Sequence, residues 1–260
     1  MKELGAFTTY EDQHAFVECA SFPDSIKRRG WDDQSHWHFV DTPFYDGIEE
    51  SINPTDYNIT WEINELKEAL HFAEAGSDTG FTGVSYALAD SFNLRLLIHY
   101  IGDIHQPLHA TTRYTQDRPE GDRGGNSFKL EKHGEIDELH ALWDSGLEQY
   151  KTDYDLPLSD FHWNKLGDFS TSITTDYPMS TFDDVNTFNI KEYVKWSEES
   201  FELSKSFVYN VDEGSWPSDD YMTKGKVIVN QQLAKGGYRL ANLLIFIWGD
   251  SAAREMELLQ

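Results

Sequence analysis

The chain has 260 residues, of which 39% are hydrophobic and 14% aromatic, the composition of a globular protein large enough to bury its own core. Its 21 basic and 46 acidic residues give a net charge of −25, which argues against a protein that grips a polyanion through a broad basic groove. Any phosphate chemistry here must bring its own positive charge, and bound divalent cations are the obvious source.

We expect a single domain over residues 1–260, without a membrane span. The most apolar segment, LANLLIFIWG at 240–249, is too short to cross a bilayer and indicates a core helix. One cysteine, Cys19, permits no internal disulfide, and we expect a small buried side chain there.

The first residues, MKELGAFTTYEDQ, lack the apolar stretch of a signal peptide. The protein is therefore either cytosolic or its beginning is missing. The triplet Asn58-Ile59-Thr60 is a glycosylation sequon, which matters only if the chain is secreted.

The hydrophobic pattern predicts mostly helices. Residues 61–76 carry apolar side chains at helical spacing and end at Gly76, a plausible C-cap; the apolar positions are Ile63, Leu66, Ala69, Leu70 and Ala73. A second helix is predicted from about Val84 to Asp103, with a buried side formed by Leu94, Leu97, Ile98 and Ile101.

The second half of the chain begins with a long polar stretch, TTRYTQDRPEGDRGGN at 111–126, which predicts an irregular loop. SFKLEKHGEI then alternates around His133-Gly134 and predicts a short hairpin, followed by a helix from about Asp137. Further helical patterns cover 190–208 and 225–249. The predicted fold class is therefore all-α, a helical bundle with one short β-hairpin.

Two histidine–aspartate pairs suggest metal binding. His99 and Asp103, like His140 and Asp144, are four residues apart, so each pair projects from one face of a helix and can close on one zinc ion. His109 follows just after the first pair. A single pair of this kind is usually a solvated ion pair on a helix surface, and that alternative stays open for each pair taken alone.

A third group of polar residues lies upstream, in SFPDSIKRRGWDDQSHWHFVDTPFY. It places Asp24, Lys27, His36, His38 and Asp41 among aromatic side chains. A lone histidine in such company is more often a hydrogen-bonded core residue than a metal ligand.

Taken together, the motifs resemble a known family. The segments ECASFPDSIKR, WHFVDTP, LIHYIGDIHQPLHA, GGNSF, ELHALWD and AKGGYRLANLL, spread from about residue 18 to about residue 243, are similar to those of the single-strand-specific, zinc-dependent nucleases of fungi and plants. These are relatives of the zinc-dependent phospholipases C. The resemblance implies a helical bundle built around three zinc ions, and a monomer that binds single-stranded nucleic acid or nucleotides as substrate.

The resemblance also implies a ligand set. Asp24, His38 and His99 would bind one zinc of a close pair, and Asp103 would bridge both members of that pair. A third, more separate zinc would be held by His109, His140 and Asp144. Asp24, Asp103 and Lys27 are the implied catalytic residues, with Lys27 near the scissile phosphate; a solvated surface lysine is the alternative.

Further positions correspond to the family's substrate pocket. Phe39 would stack on a nucleobase, Asp41 would accept a hydrogen bond from the edge of that base, and Asn126 would lie beside them in the loop it forms with Gly124 and Gly125. His105 is not carried over as a ligand and is expected to be structural or to support a ligand.

The chain departs from the family pattern at its beginning. The family's N-terminal tryptophan and its W-G-x-x-G-H pattern, which supply zinc ligands, have no match before Asp24, and Phe22-Pro23 replaces the usual Trp-Ala. We therefore expect either a chain lacking its N-terminal segment and secretion signal, in which case the protein is secreted or vacuolar, or a variant with fewer zinc ions. The alternative functions are a zinc-dependent phospholipase C and a catalytically impaired zinc-binding relative.

Overall fold

The computed structural model describes residues 14–49, 56–72, 86–150, 154, 156–186 and 188–249. This part of the chain is mainly helical, as predicted. The helices are α1 (Ala15–Glu18), α2 (Phe22–Lys27), α3 (Ile59–Phe72), α4 (Tyr86–Asp103), α5 (Leu139–Asp144), α6 (Asp160–Asp176), α7 (Ile190–Leu203) and α8 (Asp219–Trp248). The strands are β1 (Pro43–Tyr45), β2 (Thr112–Tyr114), β3 (Lys129–His133) and β4 (Ile136–Glu138).

The main core lies where α3, α4, α7 and α8 pack together. Apolar side chains spaced three and four residues apart form one stripe on each helix, and burying each such side chain contributes roughly 1.5–3 kcal/mol. The prediction is confirmed for Ile63, Leu66 and Leu70 of α3 and for Leu97, Ile98 and Ile101 of α4, which are buried. Leu94 is half-buried, and Ala69 is exposed because it lies outside the stripe. Ala73, Gly76 and Val84 lie outside the described residues.

Two short sheets complete the fold. β3 and β4 form the predicted antiparallel hairpin, with Gly134 at φ 63° in the turn. The prediction of an irregular loop over 111–126 was wrong at Thr112–Tyr114, because these residues form β2 and pair in parallel with β1. Three residues are too few to show a strand period, and their partner lies far away in the chain.

Helix ends follow local capping. α8 begins at Asp219, six residues before the predicted start, because the Ser218 hydroxyl accepts a hydrogen bond from the Tyr221 N–H at 3.2 Å. α5 begins at Leu139 rather than Asp137, since the two residues before Leu139 belong to β4. The predicted helix 190–208 is α7 followed by one π-helical segment, Ser204–Val208.

α6 was not predicted, because its sequence is polar and none of its residues is fully buried. Its signals are nevertheless present: the Ser159 hydroxyl caps the helix by accepting from the His162 N–H, and Leu166, Phe169 and Ile173 recur at helical spacing. All three apolar side chains are half-buried.

A buried arginine ties α7 and α8 to the segment after α4. Arg239 is 0% exposed, and its guanidinium donates hydrogen bonds to both carboxylate oxygens of Glu199, to Asp184, and to His105 Nε2 at 2.9 Å. It also stacks on Trp196, with 4.6 Å between the guanidinium carbon and the ring centroid. This network places the middle of AKGGYRLANLL in the core.

Two smaller predictions concern single residues. Cys19 is buried as expected, and burial raises the pKa of its thiol to about 11. Asn58 of the sequon accepts hydrogen bonds from the Thr60 N–H and hydroxyl, which gives it a capping role at the start of α3. None of the helices in the described ranges has the length and apolar character that a membrane crossing requires.

Candidate metal centre

Five segments bring the predicted metal-ligating residues to one cavity. α2 carries Asp24, the short 3-10 helix Ser35–His38 ends at His38, and α4 carries His99 and Asp103 in its last two turns. The chain cannot continue α4 through Pro107, so Gln106 is extended and a second 3-10 helix, Pro107–Ala110, presents His109. α5 carries His140 and Asp144.

The first group consists of Asp24, His38 and His99. Asp24 Oδ1 lies 4.0 Å from His38 Nδ1 and 3.9 Å from His99 Nε2, and those two nitrogens are 3.1 Å apart. Asp103 Oδ2 is 2.9 Å from His38 Nδ1 and 3.1 Å from His99 Nε2. One cation could therefore contact all four side chains.

The second group consists of His109, His140 and Asp144. His109 Nε2 lies 3.6 Å from Asp144 Oδ1, and His140 Nε2 lies 3.4 Å from Asp144 Oδ2. Gln106 Nε2 donates to Asp144 Oδ1 at 2.7 Å and fixes the carboxylate. The two groups are adjacent, because Asp103 Oδ2 lies 3.8 Å from His109 Nδ1.

Backbone carbonyls orient three of the imidazoles. The Nδ1 atoms of His99, His109 and His140 donate to the carbonyl oxygens of Ala20, His38 and Gly124, at 2.5, 2.8 and 2.7 Å. A neutral imidazole that donates from Nδ1 keeps its lone pair on Nε2, and this pattern is usual for metal-ligating histidines.

The electrostatics of the cluster favour the ionised forms of His109 and Asp103. Burial disfavours the charged forms of His109 and Asp103, yet their mutual attraction outweighs it: the pKa of His109 rises to about 9, and the pKa of Asp103 falls well below its usual range. The pKa of His99 is raised by Asp103 against burial, and the pKa of Asp144 is lowered by His109 and His140 against burial. The carboxylates of Asp103 and Asp144 are therefore ionised.

The donor set fits zinc. Nitrogen and carboxylate oxygen atoms within 4.8 Å of one another make two groups, Asp24 with His38 and His99, and His109 with His140 and Asp144. His38 Nδ1 faces Asp103 and His99 Nε2, while His38 Nε2 is buried without a hydrogen-bond partner among the described residues. Two imidazole nitrogens turned toward one another beside carboxylates are best satisfied by a shared cation.

The predicted base-binding residues line the same cavity. Phe39 follows His38 directly, and Asp41 Oδ1 accepts from the Thr112 hydroxyl at 2.5 Å; burial raises the pKa of the Asp41 carboxyl. Asn126 Nδ2 donates to the Arg123 carbonyl at 2.7 Å. The segments are held together by the Val40 N–H, which donates to the His109 carbonyl at 2.8 Å.

The glycines before Asn126 are required by their backbone. Gly124 and Gly125 have φ values of 61° and 81°, a region that L residues rarely adopt. A Cβ on Gly124 would also lie 2.4 Å from the Leu108 carbonyl oxygen. The Gly124 carbonyl orients His140, so this loop supports both the second group and the base-binding side of the cavity.

The remaining predicted residues take different places. Lys27 is exposed and lines the cavity. His36 is exposed, outside both donor groups, with its ring 6.0 Å from that of Phe39. His105 is structural: its Nδ1 donates to the Ile101 carbonyl and its Nε2 accepts from Arg239, while burial and the Arg239 charge lower its pKa to about 3.

The cavity has a volume of about 1260 Å³ and contains residues that the sequence analysis missed. Arg123 lines it on the base-binding side, in a left-handed conformation at φ 59°. Tyr150 and the apolar face of α6 also line it. None of these residues belongs to a recognised motif, although the helical spacing within α6 was a usable signal.

The sequence model of the S1/P1 Nuclease family matches residues 2–248. Endonuclease 3 of Arabidopsis thaliana is 31% identical over 245 residues, which cover 91% of this chain and 77% of the relative. Endonuclease 4 of the same plant is 30% identical, over 86% of this chain and 74% of the relative. Nuclease P1 of Penicillium citrinum is 27% identical, over 96% of this chain and 87% of the relative.

Proposed function

Since this chain belongs to the S1/P1 nuclease family, we propose that it is a zinc-dependent hydrolase that cleaves single-stranded RNA and DNA to products carrying 5′-phosphates. A nuclease is supported directly by the relatives, which are named as endonucleases or nucleases. The observation that carries the finer proposal is the convergence of two nitrogen-and-carboxylate groups beside Phe39 and Asp41 in one cavity.

Seven residues would hold the metal. Asp103, which lies 2.9 Å from His38 and 3.1 Å from His99, would join Asp24, His38 and His99 at the close pair of ions that the family resemblance implies. A separate ion would be held by His109, His140 and Asp144. When bound, zinc activates water and stabilises negative charge on phosphate oxygens during displacement at phosphorus.

The chain's own residues would position the substrate. Lys27, exposed in the cavity wall, can neutralise a phosphate charge. Thr112 holds one carboxylate oxygen of Asp41, and the other can accept a hydrogen bond from the edge of a base. Stacking on Phe39 tolerates any base but requires an unpaired one, which accounts for a preference for single strands.

The same arrangement would accept a nucleoside 3′-phosphate. Such a substrate offers one base to Phe39 and Asp41 and one phosphate to the metal groups. We therefore include 3′-nucleotidase activity in the proposal.

A parallel assay tests the proposal. Purified protein supplied with zinc is given single-stranded RNA, single-stranded DNA, duplex DNA and phosphatidylcholine, and product ends are determined. Faster cleavage of single strands with 5′-phosphate ends is expected. Release of choline phosphate in place of nucleotides would indicate a phospholipase C, and zinc binding without turnover of any substrate would indicate a catalytically impaired relative.

A further inference from the structure

Three arginines lie in β2 and the loop that follows it, and they differ in their partners. Arg113 donates to Asp46 at 2.5 Å, and Arg118 donates to Glu213 at 2.7 Å. Within the part of the chain that the structure describes, the Arg123 side chain makes neither a hydrogen bond nor an ion pair. Arg123 instead lines the cavity that contains the candidate metal centre.

The guanidinium of Arg123 is therefore available to a ligand. An arginine side chain keeps its charge at any physiological pH, and its planar set of N–H donors matches carboxylate and phosphate oxygens. The chain has 46 acidic residues against 21 basic ones, so carboxylate partners are abundant elsewhere in the molecule. A guanidinium that has none of them and lines a cavity indicates a binding position for an anion.

The backbone fixes the position of Arg123. Its φ of 59° is a left-handed conformation that costs free energy in a residue other than glycine. The preceding Asp122 is 0% exposed and accepts hydrogen bonds from the Arg113 N–H at 2.9 Å and the Tyr209 hydroxyl at 2.8 Å. The Arg123 carbonyl accepts from the Asn126 side-chain amide at 2.7 Å. Contacts on both sides thus maintain the strained residue at the cavity wall.

Arg123 lies on the base-binding side of the cavity. Its carbonyl orients Asn126, and its positive charge acts on Asp41. Burial is the main influence on the Asp41 carboxyl and raises its pKa, while the Arg123 charge makes a smaller contribution in the opposite direction. Asp41 and Phe39 line the same cavity, so the guanidinium is near the position proposed for the base.

The chemistry of the proposed reaction shows which anion would reach this side. A water oxygen bonds to phosphorus, the bond from phosphorus to O3′ breaks, and O3′ takes a proton. The nucleotide whose base lies on Phe39 therefore leaves with a free 3′-hydroxyl. Within a strand, the same nucleotide carries a second phosphate on O5′. This 5′-phosphate is the next anion along the strand from the scissile phosphate, on the side of the held base.

We propose that Arg123 binds the 5′-phosphate of the nucleotide whose base is held by Phe39 and Asp41. The guanidinium donates two parallel hydrogen bonds to phosphate oxygens, an arrangement that fixes orientation as well as adding attraction. The inference rests on the proposed nuclease function and deepens it. It makes Arg123 a specificity-determining residue that favours a nucleotide inside a strand over one that ends in a free 5′-hydroxyl.

A base is the alternative partner, because a guanidinium can also donate to O6 and N7 of guanine. The phosphate is favoured because the proposed site already contacts the base through Phe39 on its face and Asp41 on its edge. Lys27 and Arg123 are the lysine and arginine side chains among the described residues of the cavity lining. With Lys27 assigned to the scissile phosphate, Arg123 is left to neutralise the second one.

The test compares two substrates that differ by the 5′-phosphate alone. For zinc-loaded protein, kcat/KM for adenosine 3′,5′-bisphosphate is divided by kcat/KM for adenosine 3′-monophosphate, both measured by release of the 3′-phosphate. Arg123→Gln is expected to lower this ratio about tenfold, the lower end for a hydrogen bond to a charged group, because Arg123 is exposed. Arg123→Lys keeps the charge without the fork and should restore part of the ratio. Lys132→Gln makes the same charge change on the exposed hairpin and is the matched control.

An unchanged ratio in Arg123→Gln would overturn the subsite. If both activities fell equally, Arg123 would merely support the loop that carries Asn126, and if the preference between guanosine and adenosine 3′-monophosphates changed instead, Arg123 would contact the base. An equal fall of the ratio in Lys132→Gln would show that long-range charge, rather than contact, is responsible.

The subsite can fail or survive separately from the proposed function. If the wild type turns over neither nucleotide, the proposed function fails, and binding of the two nucleotides is then measured by equilibrium dialysis. Weaker binding of adenosine 3′,5′-bisphosphate to Arg123→Gln, with a smaller change for the 3′-monophosphate, supports the subsite. Equal changes for the two nucleotides refute it.

Discussion

His38 Nδ1 and His99 Nε2 lie 3.1 Å apart, although 61 residues separate them in the chain. Both nitrogens lie beside the carboxylate of Asp103. One shared cation could therefore bind the two imidazole nitrogens and the carboxylate oxygen together. We predict that dialysis against EDTA lowers the Tm, because a ligand that binds the native state stabilises it.

The same relationship predicts the effect of removing a ligand. His99→Ala and His140→Ala should each reduce bound zinc, measured by mass spectrometry, and lower nuclease activity by more than about 100-fold, beyond the cost of losing a supporting residue. His133→Ala is the control, since this imidazole is 61% exposed and lies outside both donor groups. Wild-type zinc content in either ligand variant would refute the ligand assignment.

Gly124 gives a second prediction. Alanine there adds both left-handed strain and a contact 2.4 Å from the Leu108 carbonyl, and it displaces the carbonyl that orients His140. Gly124→Ala should lower kcat/KM more than tenfold and cost about 2–4 kcal/mol in urea unfolding.

Gly47→Ala separates strain from displacement. Gly47 also has a positive φ, 76°, but an added Cβ would meet nothing within 4 Å. Gly47→Ala should lower the free energy of unfolding by about 1–2 kcal/mol and leave kcat/KM unchanged. Equal losses of activity in the two variants would show that the clash at Gly124 is unimportant.

The sequence predicted those parts of the site that depend on helical spacing. His99 with Asp103, and His140 with Asp144, share a helix face wherever those helices lie, so each pair follows from a period of 3.6 residues. The convergence of His38 with His99 could not be derived in this way, because it depends on tertiary packing; the resemblance of motifs supplied it. β2 was missed because its pairing with β1 is long-range, and α6 because its apolar face is only half-buried.

The salt dependence of substrate binding follows from the small number of positively charged side chains that line the cavity. Among the described residues that line the cavity, Lys27 and Arg123 are the two lysine or arginine side chains. Neutralising two phosphates of a single strand predicts a slope of about −1.4 in log binding constant against log salt. Arg123→Gln should make this slope less negative by about 0.7, whereas Lys132→Gln, on the exposed hairpin, should not change it. A slope several times steeper would indicate a basic path elsewhere on the surface.

The buried arginine of α8 predicts a large loss of stability. Arg239→Met removes the donor to His105 and leaves Glu199 without its bidentate partner. Because Asp184 and Glu199 keep some water contact, we expect the free energy of unfolding to fall by about 2–4 kcal/mol, somewhat less than for a fully buried pair.

Lys224→Met is the matched change on the same helix. Lys224 pairs with Asp220 at 2.7 Å, but both side chains are mostly exposed, so the loss should stay within about 0.5 kcal/mol. Similar free energies of unfolding for the two variants would show that the Arg239 network contributes little.

A buried carboxyl in α3 predicts a pH-dependent stability. Glu62 is 5% exposed, and burial, with a smaller contribution from Glu65, raises its pKa from 4.5 to about 7. Its neutral form is thus favoured in the folded state, and a penalty for ionisation accumulates as the pH rises from 4.5 towards 7. Glu62→Gln, which cannot ionise, should therefore stabilise the protein increasingly over that range.

The comparison uses urea unfolding of wild type and variant under identical metal conditions, at about pH 5.5 and about pH 8. The gain from Glu62→Gln should be larger at the higher pH by up to about 2 kcal/mol, since one pKa unit corresponds to about 1.4 kcal/mol. Glu198→Gln makes the same charge change at an exposed position of α7, and it should show no such difference. A gain that is independent of pH would mean that Glu62 ionises as easily in the folded chain as in the unfolded one, and a gain that falls with rising pH would reverse the sign of the argument.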